Sequence, residues 1–465
     1  MHEDIADYVL KLLIENKAEY AEVRLEHDNG NVFSLKNSVL EVSAFEDTAG
    51  IGARYLINKN LGFLDINVFD KDKIKQLVEK SLRLTKNSGK IGEKVELSKE
   101  DAHKVTYSVK QKVKIEQNPE FKIEKLKELD KCAKLAKSRL LHLSDNITRK
   151  YFINSEGSKI IAELPRVNVY YFLTVQENGK SIQRFLQHGY TGGYECWKKW
   201  NLLEQVPEEL KALKKNLLIA KKIKPGKMDV ITGAEVTGIA VHESCGHPYE
   251  ADRIFGREGA QAGESFVKKE DIGKRIGSNC VTIVDDPTLE NGFGYYLYDD
   301  EGVKARRKVL MKNGIVNEFL HNRETAATMG IKSNGGARAN GYDKEPLVRM
   351  SNTFVLPGNY NEDEIFEGVK KGVYFKNFME WNIDDKRWQQ KYVGNEAYLI
   401  ENGRITKPVK APILEITTPG LWGSVDAVGK NMEYSAGTCG KGEPMQGIPA
   451  WMGGPMMRLR GIHIK

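Results

Sequence analysis

The segment His242-Glu243-Ser244-Cys245-Gly246-His247 holds the residue types in this chain best suited to chemistry. Two imidazoles can hold a transition metal, and a carboxylate beside one of them can move a proton. The spacing is His-Glu-x-x-x-His. Metal-binding histidines at i and i+4 stand about 40° apart around a helix of 3.6 residues per turn. At i and i+5 they stand about 140° apart on a straight helix, so both rings cannot reach one ion without a local change. A π-bulge would add a residue to the turn and swing His247 back beneath His242. Alternatively, the helix ends at Gly246 and His247 leaves it. Pro248 disfavours an α conformation at His247, so the helix is expected to be broken or bulged between Ser244 and Pro248.

A metal needs at least a third donor. Nearby candidates are Cys245, Glu250 and Asp252; the distant candidate is Cys439, in Gly437-Thr438-Cys439-Gly440-Lys441-Gly442. Glycines on both sides let the backbone carry a cysteine into a crowded site, and a thiolate is a good zinc ligand. The plainer reading of the same residues is two core histidines near a helix end and a small buried cysteine.

The elements that must position these groups fall into two halves. In the first, helices are expected over residues 3–17, 71–86, 119–141 and 207–222. Between them run short antiparallel strands, 20–27, 31–37, 39–45, 50–58 and 61–67, then a strand near 104–116 and a second run of strands over 142–190. Turn chemistry at Asp28-Asn29-Gly30, Asp47-Thr48 and Ser155-Glu156-Gly157 separates strands. Lys224-Pro225-Gly226-Lys227 marks a boundary. This gives an N-terminal α+β domain, 1–224, and a C-terminal β-rich domain, 225–465, with the motif helix at 234–246. The fold class is α+β.

Composition narrows the function. The 465 residues are 40% hydrophobic and 29% charged, which excludes wholesale disorder. No segment is apolar enough to span a bilayer, and the start of the chain lacks a signal peptide, so a soluble cytoplasmic protein is expected. Five scattered cysteines argue for a reducing compartment. The net charge of +7 is diluted over a large surface. Residues 101–150 hold 13 Lys/Arg against 7 Asp/Glu, mostly on a helix of alternating sign, which reads as a solvated face. Nucleic-acid binding would want basic residues interleaved with aromatics, and Tyr194, Trp197, Lys198, Lys199 and Trp200 are the nearest approach.

The motif, followed by Glu250-Ala251-Asp252-Arg253, resembles the signature of the TldD/PmbA metalloproteases. So do Asp299-Asp300-Glu301-Gly302 and the ending Gly437 to Gly442. Ala21 to Glu26 and Gly50 to Arg54 also fit, and the resemblance covers essentially the whole chain. It implies a C-terminal barrel-like domain with zinc held by His242, His247 and Cys439, and Glu243 as general base. It also implies a TldD-type subunit, because the sister type, TldE/PmbA, lacks the metal motif. Pro248 and Cys245 depart from the usual pattern.

The expected activity is zinc-dependent hydrolysis of unfolded or short peptides, which a β-rich domain can hold as an added strand. Candidates for stabilising the oxyanion are His321, Arg338 and Tyr342. A homodimer, or a heterodimer with a TldE/PmbA-like sister subunit, is implied. The competing reading is a non-catalytic partner or binding subunit with a structural metal; the intact Glu243 counts against it, because a structural site needs no base.

Overall fold

The structure, a computed structural model, describes residues 2–88, 93–258 and 263–465. Its first half is one sheet. The strands are β1 (Tyr20–Lys36), β2 (Val39–Ile57), β3 (Asn60–Ile66), β4 (Lys104–Ser108), β5 (Ser138–Asn154), β6 (Lys159–Glu177) and β7 (Lys180–Thr191). Their order is β3-β2-β1-β5-β6, with β4 parallel to the start of β6 and β7 antiparallel to its remainder.

Side chains alternate across this sheet with period two. Val23, Leu25, Phe33 and Leu35 of β1, Leu141 and Leu143 of β5, and Val167 and Val169 of β6 are buried in its two apolar clusters. The helices Glu3–Glu15 and Lys71–Ser88 cover one cluster, and Pro119–Cys132 and Leu202–Ile219 cover the other. Even-numbered residues, among them Arg24, Glu26, Asn146, Lys150 and Arg166, face the rest of the chain.

Two sequence expectations change here. Residues 20–57 are two long strands rather than four short ones. The apparent turns at 28–30 and 47–48 lie opposite one another in register, Asp28 against Thr48 and Asn29 against Asp47. Their polar groups are used across strands instead. Asn146 and Thr148 of β5 donate to Asp28, and Arg149 donates to the Asn29 Oδ1 at 2.8 Å. Gly30 serves close approach, since a Cβ there would stand 1.8 Å from the Asp145 carbonyl. The helix expected over 119–141 stops at Cys132, and Ser138 already belongs to β5. Leu141 and Leu143 follow the strand period there, so tertiary burial overrides helix propensity.

From Gly226 onward the chain builds two large curved sheets and a small two-stranded one, Ala337–Arg338 with Leu347–Val348. The six-stranded one runs Ile315–Val316, Lys308–Lys312, Ile283–Asp285, Asn352–Val355, Gln446–Gly454, Glu433–Lys441. The nine-stranded one contains Gly226–Thr232 and Met457–Ile464 at its centre and ends at Phe378–Ile383. The helix Ala234–Val241 packs against Gln446–Gly454, Asn352–Val355 and Glu433–Lys441, with Gly226–Thr232 also in contact. Val236 to Val241 are all buried, as expected of a helix that is apolar on every side.

Ion pairs tie the halves together. Arg184 of β7 holds Glu235, in the first turn of the motif helix, at 2.7 Å, and also Glu209 at 3.2 Å. Arg54 of β2 reaches Glu301 at 2.5 Å, and Lys150 of β5 reaches Asp300 at 2.7 Å. Glu301 also accepts from the Arg323 backbone N–H at 2.6 Å. The Asp299-Asp300-Glu301 motif therefore docks the first sheet onto the second half.

Candidate metal centre

The motif helix changes geometry at the point where the spacing demands it. Ala234–Val241 is α-helical, His242–Gly246 is a π turn, and His247–Tyr249 is a 3₁₀ turn. The His247 backbone N–H donates to the His242 carbonyl, the i to i+5 bond of a π turn. Gly246 makes this packing feasible, because a Cβ there would stand 1.8 Å from the Met350 Sδ. Pro248 sits in the first 3₁₀ turn, where its missing N–H costs nothing.

The π turn brings the rings together, with centroids 4.8 Å apart at an interplanar angle of 80°. Cys439 arrives on Glu433–Lys441, the last strand of the six-stranded sheet. Its Sγ lies 3.5 Å from the His247 Nε2. Ligand atoms of His242, His247 and Cys439 all fall within 4.8 Å of one another, and all three residues are buried.

This cluster fits a metal ion. Tetrahedral zinc with Zn–N about 2.0–2.1 Å and Zn–S about 2.3 Å sets its donors about 3.4–3.6 Å apart, which matches the Cys439–His247 separation. The His242 Nδ1 is buried and has no partner among the described residues. Burial opposes a thiolate at Cys439, but His247, His242 and Arg349 outweigh it and hold the thiol well below its ordinary range. Arg349 also donates to the Cys439 carbonyl.

The other nearby candidates take different roles. Cys245 is buried in the main core beside Tyr249, and burial pushes its thiol well above the usual range. Glu250 accepts from the His247 Nδ1 at 3.0 Å and from the Arg253 Nε at 2.7 Å. Burial opposes its ionisation, yet Lys441, His247 and Arg253 hold it well below the usual carboxylate range. The Lys441 Nζ lies 3.2 Å from Glu250 and 2.7 Å from Asp252. Glu250 therefore fixes the tautomer of His247, leaving Nε2 free to face Cys439.

Glu243, His242, His247 and Cys439 line one cavity of about 1040 Å³. Phe172, Phe185, Met379 and Trp381 form its apolar wall, each 40–47% exposed. Most of its strand lining comes from β7, Phe378–Ile383 and Glu433–Lys441, with Phe172 from β6 and Met452 from Gln446–Gly454. Of the oxyanion candidates, none lines this cavity. His321 turns to Thr325, Tyr342 packs on Gly50 of β2, and Arg338 lines a neighbouring cavity. Arg387 was missed from sequence. It lies in the 384–388 connection, adopts φ +63°, and donates to the Glu243 Oε2 at 2.6 Å. Nothing local in Lys386-Arg387-Trp388 signals that contact.

Residues 225–465 match the PmbA/TldA metallopeptidase C-terminal domain, 21–85 match domain 1, and 114–223 match the central domain. The chain belongs to the PmbA/TldD family of metalloproteases. A metalloprotease of Methanocaldococcus jannaschii is 34% identical over 448 residues, covering 95% of this chain and 96% of that one. A zinc metalloprotease TldD homolog of Saccharolobus solfataricus is 27% identical, covering 98% of each chain. The solved TldE of Thermococcus kodakarensis shares the fold, with a TM-score of 0.77 at 16% identity over 99% of each chain. A putative modulator of a DNA gyrase from Thermotoga maritima does so with a TM-score of 0.79, also at 16% identity, over 100% of each chain.

Proposed function

We propose that this metalloprotease is zinc-dependent and hydrolyses peptide bonds in unfolded or short peptides, with His242, His247 and Cys439 as zinc ligands and Glu243 as general base. One observation carries the reading: a two-nitrogen, one-sulfur donor set and a carboxylate line the same cavity. Three protein ligands are the pattern of a catalytic rather than a closed structural zinc site. Zinc, when bound, supplies Lewis acidity at the scissile carbonyl and makes water a better nucleophile at neutral pH.

The chain's own residues do the rest. Glu243 accepts the proton of the attacking water at a carboxylate oxygen and delivers it to the departing amine. Arg387 fixes the orientation of that carboxylate across the cavity. β7, Phe378–Ile383 and Glu433–Lys441 each pair with a single strand, so their outer edges offer backbone groups to an extended peptide. The Phe172, Phe185, Met379 and Trp381 wall accepts apolar side chains. A cavity of this size admits an extended chain and excludes a folded domain.

The test is cleavage of a short unstructured peptide. Chelated protein should be inactive and regain activity with zinc. Glu243→Gln should bind zinc but lose about 10²-fold or more of its turnover. Near-normal turnover by this variant removes Glu243 from the reaction.

The reading extends to assembly in the cytoplasm. Val39, Leu40, Val42 and Phe45 are exposed on the unpaired outer edge of β2, which favours cover by a second chain, either a copy or a TldE/PmbA-like sister subunit. No helix among the described residues is long and apolar enough to cross a membrane. Light scattering across a dilution series should show self-association; a strict monomer at micromolar concentration contradicts the homodimer.

A further inference from the structure

A second cavity, of about 370 Å³, lies under the polar face of the first sheet, between β1, β5 and β6 and the segments 293–300 and 338–340. Its charged lining is Arg24, Lys150, Arg166 and Arg338 against Glu26, Asp28, Asp299 and Asp300. Most of this charge is paired. Arg24 and Lys150 meet Glu26 at 2.6 and 3.2 Å, and Lys150 meets Asp300 at 2.7 Å. Asp299 accepts the backbone N–H groups of Glu301, Val303 and Ala337. Both Asp28 oxygens accept from Asn146, and one also from Thr148.

Arg166 and Arg338 are different, because among the described residues neither forms an ion pair with a carboxylate. Arg338 is 5% exposed, sits over the Tyr296 ring and, among the described residues, donates only to the Met350 carbonyl, at 2.7 Å. Among the described residues, Arg166 reaches only the Phe293 and Tyr295 carbonyls, at 3.3 and 3.5 Å. Burial pushes Arg338 down to about 10, and Arg166 adds to that effect. A guanidinium fork removed from water is costly unless an anion meets it, and a carboxylate matches its geometry.

The cavity stands next to the metal cavity. The Gln187 Nε2 donates to the Asn168 Oδ1 at 2.8 Å and to the Thr438 Oγ1 at 3.2 Å. Asn168 lines the second cavity, Gln187 lines the metal cavity, and Thr438 lines both. One hydrogen-bonded partition, beside Cys439, separates them.

We propose that this second cavity is a carboxylate-binding site, with Arg166 and Arg338 as its two forks. The carboxylate is either the C-terminal group of a peptide in the metal cavity or a free small carboxylate. Only the first source rests on the peptidase reading, and the test reads binding rather than turnover, so the two can fail separately.

The test is calorimetric titration of the Glu243→Gln protein with glutarate, and with one short peptide carrying either a free or an amidated C-terminus. Saturable glutarate binding, weakened about tenfold or more in Arg166→Gln, is the expected result. A free-acid peptide bound about tenfold more tightly than its amide, with the difference lost in Arg166→Gln, assigns the carboxylate to substrate. Equal binding of acid and amide, with glutarate still dependent on Arg166, assigns it to a free anion. Arg338→Lys keeps the charge and the bond to Met350 but loses the fork, so it guards against a folding defect; it should weaken glutarate as well. The proposal is overturned if glutarate shows no saturable binding and acid and amide bind alike. It is also overturned if binding is unchanged in both arginine variants.

Discussion

Replacing Glu250 by Gln tests whether the proposed metal site depends on a residue that would not touch the metal. The Glu250 Oε2 accepts from the His247 Nδ1 at 3.0 Å and from the Arg253 Nε at 2.7 Å, with the Lys441 Nζ 3.2 Å away. All three neighbours are donors, so the amide oxygen of Gln must occupy that position and its NH₂ must take the place of Oε1. Oε1 has no partner among the described residues, so the swap is sterically mild. What is lost is the charge on the acceptor. A hydrogen bond to a charged group contributes about 1.5–3 kcal/mol and a neutral one about 0.5–1.5. The difference at His247 is therefore about 1–1.5 kcal/mol, or about tenfold in zinc affinity. Competition against a chelator of known affinity at neutral pH measures it. Glu250→Leu removes the acceptor altogether and takes one carboxylate from Lys441, which keeps Asp252 at 2.7 Å, so stability should fall along with metal affinity. Zinc affinity within about twofold of the parent in Glu250→Gln would refute the argument that Glu250 orients His247.

Cys439→Ser should lose most of its zinc by elemental analysis while keeping its secondary structure; full retention would remove Cys439 from the ligand set. Gly246→Ala places a Cβ 1.8 Å from the Met350 Sδ. Thermal melting should show a loss of about 1–3 kcal/mol, partly relieved by Met350→Ala. Asp300 gives a pH dependence: burial opposes its ionisation, but Lys150 and Arg24 hold it at about 2. The folded value lies below the unfolded one of about 3.9, so its contribution is complete above that pH and fades as pH falls towards 2. It amounts to roughly 2.5 kcal/mol, and Asp300→Asn should flatten stability over that acid window.

The local features were legible because they depend on short-range rules. The i, i+5 spacing announced a departure from α geometry, and the π turn at 242–246 is that departure; the effect expected of Pro248 did not occur, because His247 keeps αR dihedrals of φ −59° and ψ −44°. The hairpin at 155–157 followed from turn residues. Long strands were harder to read. Asp28-Asn29-Gly30 reads as a turn unless β5 is known to lie alongside and supply Asn146, Thr148 and Arg149 as partners. Arg387 and Arg184 were not legible at all. Each reaches its carboxylate across a large sequence separation, 144 residues for Arg387–Glu243 and 51 for Arg184–Glu235. No local period encodes either contact.

The arrangement around Cys439 shows how two short-range rules combine into one long-range device. On a strand, residues two apart share a face, so Cys439 and Lys441 point the same way and both are buried. At the end of the motif helix, His247 and Glu250 are three apart and meet at 3.0 Å. Docking the strand against the helix end then makes two contacts at once. Cys439 reaches His247, and Lys441 reaches Glu250, the residue that orients His247. A thiolate and a carboxylate on opposite sides of one imidazole would repel each other in a dry site, and Lys441 and Arg253 offset the carboxylate. The strand thus brings both the sulfur donor and the cation that makes the opposing carboxylate tolerable. A one-residue slip of Glu433–Lys441 against Gln446–Gly454 would turn both side chains away together. The pairing of Cys439 with Ile448 in that ladder is therefore as much a determinant of the site as the histidine motif itself.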